Sequence, residues 1–214
     1  MFDPIQSTLS ILGGAGKAGR PLIEAALEAG YTVRALLRHP EQFDLVHIRL
    51  TIITGDARNP ATIGELLDGS TALISTLGNP KGEHTPILST VTELILSAMQ
   101  AAGIRRYITL TSLYDTGVYQ PHEQTRLSSK FMQQHFPLFM ADRVREYALL
   151  QASELDYTYI RVPYLVQGPA TGSVHTHLKH MPAMQLTVAD LAKFLLEQLV
   201  SEQFIKRAPF VGNG

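Results

Sequence analysis

Apolar residues fall along the chain in two alternating rhythms. Thr8 to Leu12 is a short, almost wholly apolar run that ends in Gly13-Gly14-Ala15-Gly16. Behind Pro21, a residue suited to a first helical turn, Leu22, Ile23, Ala26 and Leu27 recur at helical spacing, and Gly30 supplies the stop. Further runs of strand length occupy residues 31–37, 50–54, 71–75, 106–111 and 157–162. Between them Ile87, Val91, Leu94, Ile95, Ala98 and Ala102 mark a long helix closed by Gly103, and a shorter one over Asp142 to Ser153 leads into the sixth strand. Thr187-Val188-Ala189-Asp190 has the form of a capping box, in which the Thr hydroxyl accepts from an early helix N–H. It opens a final helix with Val188, Leu191, Leu195 and Leu199 on one face. Strands that carry few charges and alternate with helices predict an α/β fold, a parallel sheet covered on both faces.

Two stretches break the rhythm. Segments 113–141 and 164–184 carry Tyr, His, Gln, Pro and Phe without a clear period, and each begins just past the C-terminal end of a strand. Open α/β sheets bind ligands there, so both are candidate walls of a substrate pocket. The group Phe131, Met132, Phe136, Phe139 and Met140 reads either as a mobile lid or as a small satellite core.

Composition narrows the picture. The 214 residues suit one domain, 1–214, and 45% apolar against 17% charged residues is an ordinary globular mix. Eighteen Lys and Arg against nineteen Asp and Glu leave a net charge of −1, which argues against a nucleic-acid partner. The absence of cysteine excludes disulfides, thiolate metal sites, iron–sulfur clusters and thiol nucleophiles. No apolar run approaches the roughly 18–20 residues that span a bilayer, and the N-terminus lacks the pattern of a signal peptide. A soluble cytoplasmic monomer or homodimer is expected. His175-Thr176-His177 with His180 offers a usable ligand spacing, but no carboxylate lies nearby in sequence, and a polar loop or strand is the expected reading rather than a metal site.

The chemistry concentrates in Gly13-Gly14-Ala15-Gly16-Lys17-Ala18-Gly19, which satisfies both G-x-G-x-x-G and G-x-x-G-x-x-G between the first strand and the first helix. Glycines there let the backbone turn tightly and approach a pyrophosphate, whose charge meets free N–H groups at the helix's positive end. A P-loop NTPase is disfavoured, because Lys17 is followed by Ala18 and not by Ser or Thr. The second strand ends Leu36-Leu37-Arg38-His39, where an NAD site would place a carboxylate on the ribose hydroxyls. Arg38 suits a 2′-phosphate instead, with Lys17 and Arg34 adding positive potential, so NADP is expected over NAD. Asp56 of Gly55-Asp56-Ala57 has two readings: acceptor from the adenine amino group with Ala57 beside the ring, or a turn or cap residue. Thr76, Leu77 and Gly78 end the fourth strand with residues small enough for backbone approach to a ribose.

Together the pieces Gly13 to Gly19, Leu36-Leu37-Arg38, Gly55-Asp56-Ala57, Tyr107 to Ser112 and Ala152 to Pro163 resemble the atypical short-chain dehydrogenase/reductases. The nearest groups are the NAD(P)H-binding, NmrA-like proteins and the biliverdin reductase B or flavin reductase type. The resemblance implies a Rossmann-type, doubly wound parallel sheet, a nicotinamide cofactor across the strand ends, and Thr111, Ser112 and Pro163 beside the nicotinamide. Arg143 falls where relatives carry the lysine of their Tyr-x-x-x-Lys pair. That pair is absent: Tyr114 is followed at that spacing by Val118, Tyr119 by Glu123 and Tyr147 by Gln151. A guanidinium can orient an anion but does not titrate near neutrality, so ordinary alcohol dehydrogenase chemistry is not expected.

Hydride transfer to a conjugated acceptor needs less of the protein, chiefly positioning and the exclusion of water. Ser112 and Tyr114 are the candidate proton donors. The sequence therefore points to an NADP(H)-dependent oxidoreductase acting on a small planar acceptor, such as a flavin, quinone or tetrapyrrole. The alternative is a non-catalytic NADP(H)-binding sensor of NmrA-like type, and a weaker one is an NAD-dependent epimerase or dehydratase.

Overall fold

The six apolar runs form six neighbouring strands of one sheet. A computed structural model describes residues 7–80, 82–112, 116 and 122–214, to which all that follows refers. The strands are β1 (Thr8–Leu12), β2 (Thr32–Leu37), β3 (Leu50–Thr54), β4 (Ala72–Ser75), β5 (Arg106–Ser112) and β6 (Asp156–Val162). They are followed by β7 (Tyr164–Val166), β8 (Val174–His177), β9 (Gln185–Thr187) and β10 (Phe210–Asn213). The main sheet runs β3-β2-β1-β4-β5-β6-β10-β8, parallel except where β8 pairs antiparallel with β10, while β7 and β9 pair as a separate two-stranded sheet. This is a Rossmann-type arrangement. The winding reverses between β1 and β4, and that switch point opens the crevice in which such sheets bind ligands.

Helices cover both faces. On one side α1 (Gly19–Glu28) and α6 (Val188–Glu197) press Leu22, Ile23, Leu191 and Leu195 onto Leu9, Ile11 and Ile108. On the other α2 (Pro60–Leu67), α3 (Leu88–Ala102) and α5 (Pro137–Ala152) bring Ile63, Val91, Ile95 and Leu150 against Leu73, Tyr107 and Tyr159. Each such fully buried side chain contributes about 1.5–3 kcal/mol of transfer free energy. The expected stop of α3 is confirmed, with Gly103 in the left-handed region at φ 69°.

Three features depart from expectation. Segment 113–141 contains α4 (Glu123–His135) and the first turn of α5, which starts five residues earlier than its apolar pattern suggested. In α4 only Thr125 and Ser129 are buried while Leu127 and Phe131 face outward, so no apolar period develops for a reader of the sequence to find. Helix α2 is announced by Asn59-Pro60 rather than by periodicity: the Asn59 side chain accepts from Ala61 N at 3.0 Å, and Pro60 occupies the first turn. Strands β8 and β10 extend the sheet beyond the sixth strand, and the short apolar content of β10 gave no warning of it.

The far end of this sheet is tied by one carboxylate. Thr187 caps α6 by accepting from Asp190 N at 3.1 Å and donates its hydroxyl to Asp190 Oδ2 at 2.8 Å. The same carboxylate accepts from Thr171 N and Oγ1, both at 2.8 Å, from Gly172 N at 3.1 Å, and from Asn213 Nδ2 at 2.7 Å. Asp190 therefore binds segment 164–184, the start of α6 and the end of β10 together. Burial pushes its pKa up, but these donors, led by those of Thr171, outweigh it and hold the carboxyl well below the usual carboxylate range. Asp190→Ala is expected to lower the unfolding free energy by about 2–4 kcal/mol, measured in urea. Because the folded pKa is depressed, the advantage of wild type over Asp190→Asn is present above about pH 4 and shrinks as the solution is acidified below that. Unfolding midpoints of the two proteins that keep a constant separation down to pH 2 would contradict this assignment.

Candidate functional site

At the C-terminal ends of β1 to β6 the sheet opens into a cavity of about 690 Å³. The loop after β1 contributes Gly13, Gly16, Lys17 and Ala18, and β2 is followed at once by Arg38. Asp56 and Ala57 arrive after β3, and Thr76, Leu77 and Gly78 after β4. Thr111 and Ser112 end β5, Arg143 reaches in from α5, and Pro163 follows β6. Residues 150 positions apart in sequence thus share one wall because parallel strands deliver all their C-terminal ends to the same edge. Tyr114 lies outside the described residues.

The glycines divide into two jobs. Gly13 sits at φ +82°, and a Cβ there would stand 2.8 Å from Leu77 N and from the Thr76 carbonyl carbon. Gly14 and Gly19 do not line the cavity, contrary to expectation. Gly14 lies against the Ile23 side chain, and a Cβ on Gly19 would come within 2.1 Å of Gly13 O. These two allow the loop to fold down on α1, which begins without a side-chain cap. Within the turn Gly16 N donates to Gly13 O at 2.9 Å and Arg20 N to Gly16 O at 3.2 Å, and the loop leads into the N-terminal end of α1, the end of a helix dipole that favours an anion.

The positive charge is distributed differently from the expectation. Arg34 does not approach the cavity: its guanidinium donates to the Glu65 and Leu66 carbonyls at 2.7 and 3.2 Å and so ties β2 to the C-terminal end of α2. Lys17 does not converge on Arg38 either. Its Nζ donates to Leu165 O at 2.5 Å and lies 5.0 Å from the centre of the Tyr164 ring, spanning from the glycine loop to β7. Arg38 remains at the expected place and pairs with Glu83 at 3.6 Å. Glu83 also accepts from Arg58 at 2.7 Å, and Arg58 in turn grips Asp56 through contacts of 2.7 and 2.9 Å. The Arg58 hydrogen bonds pull the Asp56 carboxyl down to about 2. Asp56 therefore accepts from its own turn and also lines the cavity. Arg58 and Glu83 were not singled out in the sequence. The adjacency Asp56-Ala57-Arg58 was the available signal for Arg58, whereas nothing local announced Glu83.

At the β5 end, Arg143 Nη1 donates to Leu110 O and to Glu146 Oε2, each at 3.4 Å. Glu146 is buried, accepts from Tyr159 OH at 2.7 Å and from Thr92 Oγ1 at 3.3 Å, and burial pushes its pKa up. Asp142, one residue before Arg143, accepts from Leu88 N and Ser89 N at 3.0 and 3.2 Å and thereby fixes α5 against the start of α3. The buried Thr111 hydroxyl has no hydrogen-bond partner among the described residues, although it stands in the cavity wall. Such a group costs about 1–3 kcal/mol unless something in the cavity satisfies it. His175 and His177 lie on β8. His177 stacks on His180 with ring centroids 3.5 Å apart, and its Nδ1 accepts from the backbone N–H groups of Lys179 and His180.

A family model described as NAD(P)H-binding matches residues 13–202. The chain belongs to that family. Among curated relatives, the photosystem II assembly factor Ycf39 of Trieres chinensis is 27% identical over 209 residues, covering 90% of this chain and 59% of the relative. Ycf39 of Guillardia theta is 26% identical over 222 residues, covering 96% of this chain and 65% of the relative. The chain thus spans about three fifths of the length of the curated relatives it matches. Among solved structures, the oxidoreductase ylbE of Lactococcus lactis superposes with a TM-score of 0.78 at 20% identity, covering 97% of this chain and 91% of that one. ChuY, an anaerobillin reductase of Escherichia coli O157:H7, gives 0.77 at 21%, with 97% of each chain covered. A short-chain dehydrogenase/reductase of Veillonella parvula in complex with NADP gives 0.76 at 20%, covering 97% and 94%. Family and fold agree with the resemblance read from the sequence. Among the described residues no helix is long and apolar enough to cross a membrane.

Gly19→Ala tests the cradle. It is expected to destabilise the protein by about 1–3 kcal/mol and to weaken dinucleotide binding about tenfold or more, followed by thermal unfolding and by titration of NADPH. Gly64→Ala, where an added Cβ meets nothing within 4 Å, should be neutral or stabilising in the same assays.

Proposed function

We propose that this chain is an NADP(H)-dependent oxidoreductase that transfers a hydride between the nicotinamide and a small planar acceptor. The observation that carries the reading is the meeting of two cavities. The first has a glycine cradle at one end and the unsatisfied Thr111 hydroxyl at the other, and it shares Ser112, Val162 and Pro163 with a second cavity of about 590 Å³. The residues present fit a dinucleotide. The cradle from Gly13 to Gly19 and the uncapped α1 would take the pyrophosphate, and Arg38 the 2′-phosphate in exchange for Glu83. Asp56 and Ala57 would meet the adenine, and the backbone at Thr76, Leu77 and Gly78 a ribose. Thr111 and Arg143 would hold the nicotinamide end, with Pro163 against the ring.

When bound, the nicotinamide supplies the hydride. The protein's part is to align two rings across the shared wall, to exclude water, and to manage one proton. Ser112, common to both cavities, is the proposed donor of a hydrogen bond to an acceptor oxygen, and Tyr114 is the other. Arg143, anchored by Glu146, orients the cofactor and does not act as a base, because a guanidinium stays charged.

A second reading has its own support. The curated relatives are named for assembly of photosystem II, and the Tyr-x-x-x-Lys pair is missing, so a sensor that binds NADP(H) without turnover is the alternative. The two separate in one experiment, in which NADPH and NADH are titrated and absorbance is followed with flavin, quinone and biliverdin-type acceptors. NADPH oxidation is expected. Tight NADPH binding without oxidation of any acceptor would favour the sensor.

Cofactor choice has a separate test. Arg38→Ala should weaken NADPH binding about 10–100-fold, the equivalent of losing a charge-assisted contact worth about 1.5–3 kcal/mol, and change NADH binding little. Glu83→Gln, which removes the competing carboxylate, should tighten NADPH selectively. A wild-type protein that prefers NADH would overturn the role given to Arg38.

A further inference from the structure

The second cavity carries information about its occupant that the first does not. Its described walls are Leu127, Phe131 and Met132 of α4 on one side and Tyr164, Met181 and Met184 on the other, with Ser112 at the boundary to the first cavity. Among the described residues no charged side chain lines it, and its polar side chains are the hydroxyls of Ser112, Ser128 and Tyr164. Lys130 of α4 is exposed and is not among the lining residues, and three other basic groups have partners of their own. Lys17 donates to Leu165 O, Arg143 pairs with Glu146 in the first cavity, and Arg126 on the same helix pairs with Glu123 at 4.0 Å. Leu127, Phe131, Tyr164 and Met184 are each more than half exposed, so the mouth is apolar as well as the interior.

We infer that the acceptor is an uncharged, apolar, planar quinone-type molecule, and that this cavity discriminates against acceptors bearing phosphate or carboxylate groups. The inference rests on the oxidoreductase reading above and goes beyond it. A flavin mononucleotide would bring a phosphate, and a linear tetrapyrrole its carboxylates, to a wall whose described residues offer no cation. Desolvating such an anion without a partner costs several kcal/mol. An uncharged ring meets no such penalty. Thioethers and aromatic rings pack against its faces, and the hydroxyl groups supply hydrogen bonds for its carbonyl oxygens. The reaction balances without a further reactant. The quinone takes a hydride from the dihydronicotinamide and one proton from water by way of Ser112, and becomes the hydroquinone as the dinucleotide is left oxidised.

The binding test uses the dinucleotide-free protein and calorimetric titration with two probes that share a ring system, 2-methyl-1,4-naphthoquinone and 1,4-naphthoquinone-2-sulfonate. The absence of cysteine removes thiol addition as a complication. The uncharged probe is expected to bind at least about tenfold more tightly than the sulfonate. Met184→Lys, at an exposed position that tolerates a long side chain, should narrow or reverse that ratio. Failure of the uncharged probe to bind, equal or tighter binding of the sulfonate, or an unchanged ratio in Met184→Lys would overturn the inference. A separate NADPH titration distinguishes the two levels of the argument. Selective quinone binding together with a failure to bind NADPH would support the cavity assignment while removing the oxidoreductase reading on which its function rests.

Discussion

The larger cavity depends on the approach of two strand ends at the point where the sheet changes its winding. Thr76 N donates to Leu12 O at 2.8 Å, and the Thr76 hydroxyl reaches the Leu12 and Gly13 carbonyls at 3.2 Å each. The backbone that leaves β1 therefore runs against the backbone that leaves β4, and Gly13 stands where no side chain fits. Everything assigned to the larger cavity follows from this contact. It turns the glycine loop under the start of α1, leaves that helix uncapped, and holds Thr76, Leu77 and Gly78 beside the cradle. The loop is thus preformed, and the conformational cost of shaping it is met during folding rather than on binding.

Electrostatics within this frame work through local pairs, not through a broad field. A chain with a net charge of −1 provides no long-range attraction for a polyanion. It does present guanidinium and ammonium groups at the cavity rim, each already held. Arg38 and Arg58 share Glu83, Arg143 leans on buried Glu146, and Lys17 bridges to β7. Each cation is therefore oriented before a ligand arrives, and a phosphate gains only the difference between itself and the partner it displaces. The second cavity has the opposite character. Among the described residues no charged side chain lines it, so under the proposed reading a site for an anionic ligand adjoins one suited to an apolar ligand, with Ser112 between them.

How far the sequence was legible follows the physics of each signal. The six parallel strands were readable because both faces of each are buried, which makes them continuous apolar runs. Helices α1, α3 and α6 were readable because a stripe of each packs on the sheet. Helix α4 was not, since its inward face is polar and its apolar residues line a cavity instead of a core. Glycine spacing placed the cradle but could not separate Gly13 and Gly16, which face the cavity, from Gly14 and Gly19, which permit packing. Arg34 and Arg38 lie four residues apart, yet only Arg38 stands past the strand end, while Arg34 meets the carbonyl end of a helix that the periodicity had not revealed.

Local information by itself determined the fold class, the glycine loop and the set of strand ends that line the larger cavity. Those properties depend on backbone sterics and on burial patterns that repeat within a few residues. The tertiary structure alone decided which charges are paired, that the Thr111 hydroxyl is buried without a partner among the described residues, that Asp190 ties three segments together, and that a second cavity whose described walls carry no charge adjoins the first. These depend on side chains delivered by different elements, such as Arg38 and Glu83 from the loops after β2 and β4, or Asp190 with Thr171 and Asn213, 19 and 23 positions away. No local pattern encodes the distance between Arg38 and Glu83 or the meeting of Met184 with Leu127 and Phe131 around one cavity, because both arise from how the elements settle on the sheet.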